Sequence, residues 1–199
     1  MGLFFFLKFL NKAETKDSNI PTAEYAPSFW EDDYCQVEIV PSSNKDFILS
    51  QSGQIEELIQ KTKTDNGFSD AFIRKSMPVT TLSEEIRITY LEKLFESLQL
   101  EKAKHIYYNG HEIINCETSK TKAFGFTNFS IFFEIEEEFV KNIWVQPRHI
   151  TDSSQIKSIT NVLYILGEEC QFVLIDWNSQ ELVDLANLKE VNSYMSNFK

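Results

Sequence analysis

The stretch 123–136, AFGFTNFSIFFEIE, constrains this chain more than any other. Phe129, Ile131, Phe133 and Ile135 fall on one face by the two-residue repeat of a strand, while the other face carries Phe132 and then turns toward water at Glu134 and Glu136. Read as one long strand, it needs strand neighbours at its edges and a covering layer over its apolar face. FVKNIWVQP (139–147) supplies a neighbour that Pro147 closes. YCQVEIV (34–40) alternates as another strand and is stopped by Pro41, and NKDFILS (44–50) reads as a weaker one. In HIYYNGHEII (105–114), Asn109-Gly110 lies between two β-prone runs and predicts a hairpin. A two-residue turn there pairs Tyr108 with His111, Tyr107 with Glu112 and Ile106 with Ile113. FVLIDW (172–177) is apolar enough for an interior strand.

Helical spacing occurs between these runs. Ile55, Leu58 and Ile59 predict a short helix over 53–63. Ser83 is placed to cap a helix whose first turn holds Glu84 and Glu85, and Ile86, Tyr90, Leu91, Leu94, Phe95 and Leu98 form its buried stripe. Asp152 or Ser153 caps a run through Ile156, Ile159, Val162, Leu163 and Leu166, with Gly167 where a helix usually ends. NLKEVNSYMSNF (187–198) predicts a short terminal helix. Strands in runs with helices between them predict an α+β fold, a single domain over 30–199 with a mostly antiparallel sheet and helices packed on it. The 199 residues suffice for a core without disulfide or metal staples, and the 17 Phe make that core rich in aromatic rings.

Residues 1–29 read as an appendage, a short amphipathic helix followed by a linker arm. MGLFFFLKFL lacks the basic start and cleavage site of an export signal and has about half the length of a membrane span. Lys8, Asn11 and Lys12 give it a polar side. Self-docking of residues 1–12 requires no second molecule and is favoured over contact with a membrane surface or a partner. The expected location is cytoplasmic, and the unpaired spacing of Cys35, Cys116 and Cys170 fits small buried thiols in a reducing compartment.

Chemical motifs fail for want of partners. HEIIN (111–115) resembles a zinc-protease motif, but Asn115 replaces the second histidine and the Asn-Gly turn makes the segment a strand. Alternation separates His105 from His111, and His149 stands beside Arg148 without a ligand set. No glycine-rich turn follows a strand, so no cofactor is expected. Carboxylates near Cys35 raise a thiol pKa rather than lower it.

The remaining pair is Asp176 and Asp184 in IDWNSQELVD. A two-residue turn would set Asp176 opposite Glu181, an unfavourable pairing of like charges. A three-residue loop through Gln180 instead pairs Trp177 with Glu181, and Asp176 with Leu182. Asp176 and Asp184 then lie diagonally on one face, about 7 to 8 Å apart. That spacing suits a carboxylate-pair hydrolase, but no sugar-binding cleft is legible beside it.

What survives is charge. With 19 Lys and Arg against 30 Asp and Glu, the net charge of −11 repels nucleic acid and attracts basic proteins. The expected function is non-enzymatic binding of a basic protein, in its sharpest form an immunity-type inhibitor of a basic toxin. The contact residues are expected among Glu31, Asp32, Asp33, Glu136, Glu137, Asp176 and Asp184. The alternatives are an adaptor or regulatory scaffold using its N-terminal helix, and an unrecognised hydrolase with a carboxylate pair.

Overall fold

The computed structural model describes residues 25–64, 67–150 and 152–198. The expected helix at residues 1–12 and most of the expected arm lie outside these. The first half of the chain forms β1 (Ser28–Phe29), β2 (Val37–Pro41), α1 (Lys45–Thr62), β3 (Lys63–Thr64), β4 (Gly67–Phe68) and α2 (Ile88–Ser97). Next come β5 (Glu101–Lys102), β6 (His105–Tyr108), β7 (Glu112–Asn115), β8 (Thr121–Phe126), β9 (Phe129–Glu136) and β10 (Phe139–Pro147). The chain ends in α3 (Ser153–Cys170), β11 (Phe172–Asp176), β12 (Glu181–Asp184) and α4 (Leu188–Ser196). The fold is α+β.

Among the described residues, seven strands make one sheet in the order β12-β11-β2-β10-β9-β8-β5, antiparallel at each pairing. Alternation gives this sheet two apolar faces. On one, Ile39, Ile131, Phe133, Ile143 and Leu174 meet α2, α3 and α4 through Phe95, Leu163 and Tyr194. The opposite face divides in two. Phe132, Trp144 and Ala123 are covered by the small sheet β1-β6-β7, through Phe29, Ile106, Tyr108 and Ile114. Val40, Val173 and Ile175 are covered by Ile48 of α1 and by Met77.

Several expectations change. The stretch 123–136 is two strands turned at Thr127-Asn128, not one, because Gly125 at φ 155° lets the backbone of β8 approach Phe129. NKDFILS is the start of α1: the face of Ile55 and Leu58 extends back through Gln51 to Ile48 at helical spacing. The helix expected from Ser83 begins at Ile88. Glu85 turns left-handed at φ 51°, and residues 86–88 are pinned to β10 by Ile88 N–H to Glu138 O and Val140 N–H to Ile86 O. Sheet pairing there outweighs the helical pattern. Gly167 lies inside α3, which runs to Cys170 and closes on a left-handed Gln171. Residues 25–29 belong with the core: Tyr25 and Phe29 are buried, and the Tyr25 hydroxyl donates to Ser130 Oγ at 2.8 Å. The boundary expected at residue 30 therefore cuts through packed structure.

Candidate functional site

The seven acidic candidates do not converge. Asp176 pairs with Glu181 and Val173 with Asp184, so strand alternation sends Asp176 and Asp184 to opposite faces of the sheet. The loop is Trp177–Gln180, with Gln180 left-handed at φ 59°, and the like-charged pairing is present after all. It is tolerated because Asp176 is buried and supplied with donors: Asn178 N–H at 2.9 Å and the Tyr194 hydroxyl at 3.2 Å. Asp184 is held by Lys45 Nζ at 2.6 Å, which keeps its carboxyl below the usual range. Asp176 is thus out of a partner's reach, and the diagonal carboxylate pair does not exist.

Glu136 is paired with Lys141 at 3.1 Å, and Glu137 is exposed in the β9–β10 turn at φ 56°. The Glu31–Asp33 turn lies toward the other end of the sheet, where Asp33 Oδ2 accepts from Gln146 Nε2 at 2.8 Å. Gln146 and Phe139 are the near-opposite ends of β10, about 23 Å apart at about 3.3 Å per residue. One partner footprint of modest size reaches one end or the other.

At the Glu31 end the surface is organised. Glu31 N–H donates to Asn109 Oδ1 at 2.9 Å, tying this turn to the β6–β7 hairpin. That hairpin turns through Asn109, Gly110 and His111 and pairs Tyr108 with Glu112, one residue out of the expected register. His111 leaves the strand for the turn, where it is exposed and its Nδ1 lies 2.7 Å from Asn109 O. The indole of Trp30 lies over Gly110: a Cβ there would stand 3.1 Å from Trp30 Cη2. Trp30 is nonetheless 54% exposed. The Asn109 contact and the pairing of Tyr108 with Glu112 bring Glu31 and Glu112 to the same end of the hairpin. Burial, then Glu31, push the Tyr108 phenol up, Asn109 offsets part of this, and Glu112 and Asp32 add less.

A second polar feature lies between the two apolar clusters of the divided sheet face. It is a cleft of about 580 Å³ roofed by residues 72–79. Glu38 is its floor, between Trp144 of β10 and Ile175 of β11. The Arg74 guanidinium reaches down from the roof, with Nη1 3.3 Å from Glu38 Oε1 and 3.2 Å from Cys35 O, and its centre lies 4.8 Å from the Trp177 ring. One wall is Tyr34, which donates to Glu134 Oε2 at 3.1 Å and accepts from Asn142 Nδ2 at 2.9 Å. Cys35 is left-handed at φ 53°, and burial, then the Glu38 carboxylate, push its thiol well above the usual range. A thiol so placed is a poor nucleophile.

Burial raises the Glu38 pKa above the usual glutamate value, and Arg74 and the Trp177 indole offset only part of that. A carboxyl with a raised folded pKa favours the fold most at pH below its ordinary value, and that contribution is lost as pH rises through the raised pKa. Glu38→Gln does not ionise there. Its urea midpoint is expected to gain on the wild type from about pH 4 to about pH 7. A gap that stays flat or closes would contradict the burial argument.

Alternation in YCQVEIV does not single out Glu38, because nothing local in the sequence tells that residues 72–79 cross over it. Trp30 carried a signal, an aromatic residue next to three acids, but its exposure depends on packing against Gly110, which is 80 positions away. Among the described residues no helix is long and apolar enough to cross a membrane, and no three His, Cys, Asp or Glu side chains gather to hold a metal ion. Compared with known proteins, the chain matches no family model, no curated protein and no solved structure.

Proposed function

We propose that this chain is an acidic protein-binding module whose partner is a basic protein, docked on Trp30 and the carboxylates of Glu31, Asp32 and Glu112. The observation that supports this is a tryptophan more than half exposed yet braced against Gly110, with acids on its flank. An immobilised aromatic ring contributes contact area at small entropic cost, which is why tryptophan is frequent among the dominant residues of interfaces. The carboxylates steer a cationic partner and fix its orientation, and the net charge of −11 acts in the same direction at longer range. In its sharpest form the reading is an immunity-type inhibitor that covers the cationic cleft of a toxin. The hydrolase alternative loses its carboxylate pair, since Asp176 and Asp184 face opposite ways.

The test is affinity capture of basic proteins from the native cell extract by wild type, Trp30→Ala and the triple variant Glu31→Gln, Asp32→Asn, Glu112→Gln, at low and high salt. Trp30→Ala is expected to weaken capture by about 2 kcal/mol or more, roughly thirtyfold. The triple variant is expected to flatten the salt dependence. Identical capture by all three proteins would remove the reading.

A further inference from the structure

The cleft beneath residues 72–79 holds a cation in the manner of a receptor holding a ligand. The Arg74 guanidinium stacks on an aromatic face, pairs with a largely buried carboxylate and donates to a backbone carbonyl. Stacking, ion pair and directed donor together select the planar guanidinium over the compact ammonium of lysine. The occupant comes from the chain itself.

Its attachment is slight. Farther along the strap, Val79 is clamped by Asn44, which donates to Val79 O at 2.8 Å and accepts from Val79 N–H at 3.1 Å, and Lys75 N–H donates to Gln51 Oε1 at 3.1 Å. Residues 70–74, by contrast, make no hydrogen bond to the rest of the described chain apart from those of the Arg74 side chain. Ile73 beside it is 80% exposed. Lifting residues 70–74 therefore breaks the Arg74 hydrogen bonds and uncovers the partly buried Phe72 ring, and leaves the anchors at Lys75 and Val79 in place. The cleft also adjoins the proposed docking face: Cys35 follows the Glu31–Asp33 turn after a single residue, and Asp33 and Tyr34 both reach β10.

We propose that the Glu38–Trp177 cleft is an arginine-recognition site, occupied by Arg74 in the free protein and taken over by an arginine side chain of the docked basic partner as residues 70–74 lift. This rests on the reading of the chain as a binder of basic proteins. Arg74 is then a competitor in cis, and the apparent affinity for an incoming arginine is reduced by the fraction of molecules in which the strap stays closed.

The experiment uses the full chain, with arginine amide and lysine amide as probes and the Trp177 indole N–H followed by NMR. Arg74→Ala is expected to bind arginine amide about tenfold or more tighter than wild type does, and to prefer it to lysine amide. Adding Glu38→Gln to that variant is expected to abolish the preference. In the wild type, saturating arginine amide is expected to speed exchange of the Arg74 guanidinium N–H protons, which the closed strap bonds to Cys35 O and Glu38 Oε1. This measurement stands even if Arg74→Ala does not fold. Equal binding of the two amides by folded Arg74→Ala, or Arg74 guanidinium exchange in the wild type unchanged by arginine amide, would overturn the proposal. No partner enters the assay, so its failure leaves the Trp30 surface standing, and failure of Trp30→Ala in capture leaves the cleft result standing.

Discussion

Gly167→Ala is expected to lower stability by about 3 kcal/mol or more, although alanine is the better helix former. A Cβ at 167 would lie 2.1 Å from Leu185 C, 2.3 Å from Ala186 N and 2.5 Å from Leu185 O. These are backbone atoms, and the turn that carries them is tied down. Asn187 N–H donates to Asp184 O at 2.9 Å, Ala186 N–H to Asp184 Oδ1 at 3.1 Å, and Asp184 N–H to Glu190 Oε2 at 2.8 Å. Leu185 is fully buried, so the turn has nowhere to retreat. Gly53 in α1 is the control, because a Cβ there meets nothing within 4 Å. Gly53→Ala is expected to stabilise by about 0.5 to 1 kcal/mol. Urea midpoints of the two variants moving in opposite directions is the expected result. A stabilised Gly167→Ala would mean that α3 and the 184–187 turn are not in contact.

That contrast also explains why one part of the fold was legible and another was not. The alternation of β9 and β10, the Asp152 cap and the stripe of α3 are local patterns, and each of these elements forms where its pattern lies. The misreadings occur where a distant element overrides a local rule. The local rule makes Gly167 a helix stop, yet its missing side chain serves a crossing with the 184–187 turn. The local rule puts Glu85 in a first helical turn, yet pairing of residues 86–88 with β10 delays α2. Repulsion between Asp176 and Glu181 argues against their pairing, yet Tyr194, 18 positions away, donates to Asp176. The acidic character of the surface was legible from composition. Which acids stand together was not, because Glu112 joins Glu31 and Asp32 only through the hairpin contact of Asn109.

Phe29→Ala is expected to lower stability by about 3 to 5 kcal/mol. Phe29 is 3% exposed and its ring centroid lies 5.2 Å from Tyr108, 5.1 Å from Phe132 and 5.7 Å from Trp144, with tilted or edge-on geometry. Strand β1 has only two residues, and its hydrogen bonds to the hairpin include Tyr107 N–H to Pro27 O at 2.9 Å and Asn109 N–H to Phe29 O at 3.1 Å. So short a strand is held by its side chain rather than by its ladder. Without the ring, the Phe132–Trp144 stack at 5.4 Å loses part of its cover and the β6–β7 hairpin loses one of its contacts with the main sheet. Tyr25→Phe removes a single buried hydrogen bond to Ser130 and is expected to cost only about 1 kcal/mol. Besides the fall in urea midpoint, Phe29→Ala is expected to speed exchange of the Tyr107 and Asn109 amides well beyond those of β9. Wild-type protection at these two amides in the variant would mean that the backbone pairing holds β1 and that the ring is dispensable.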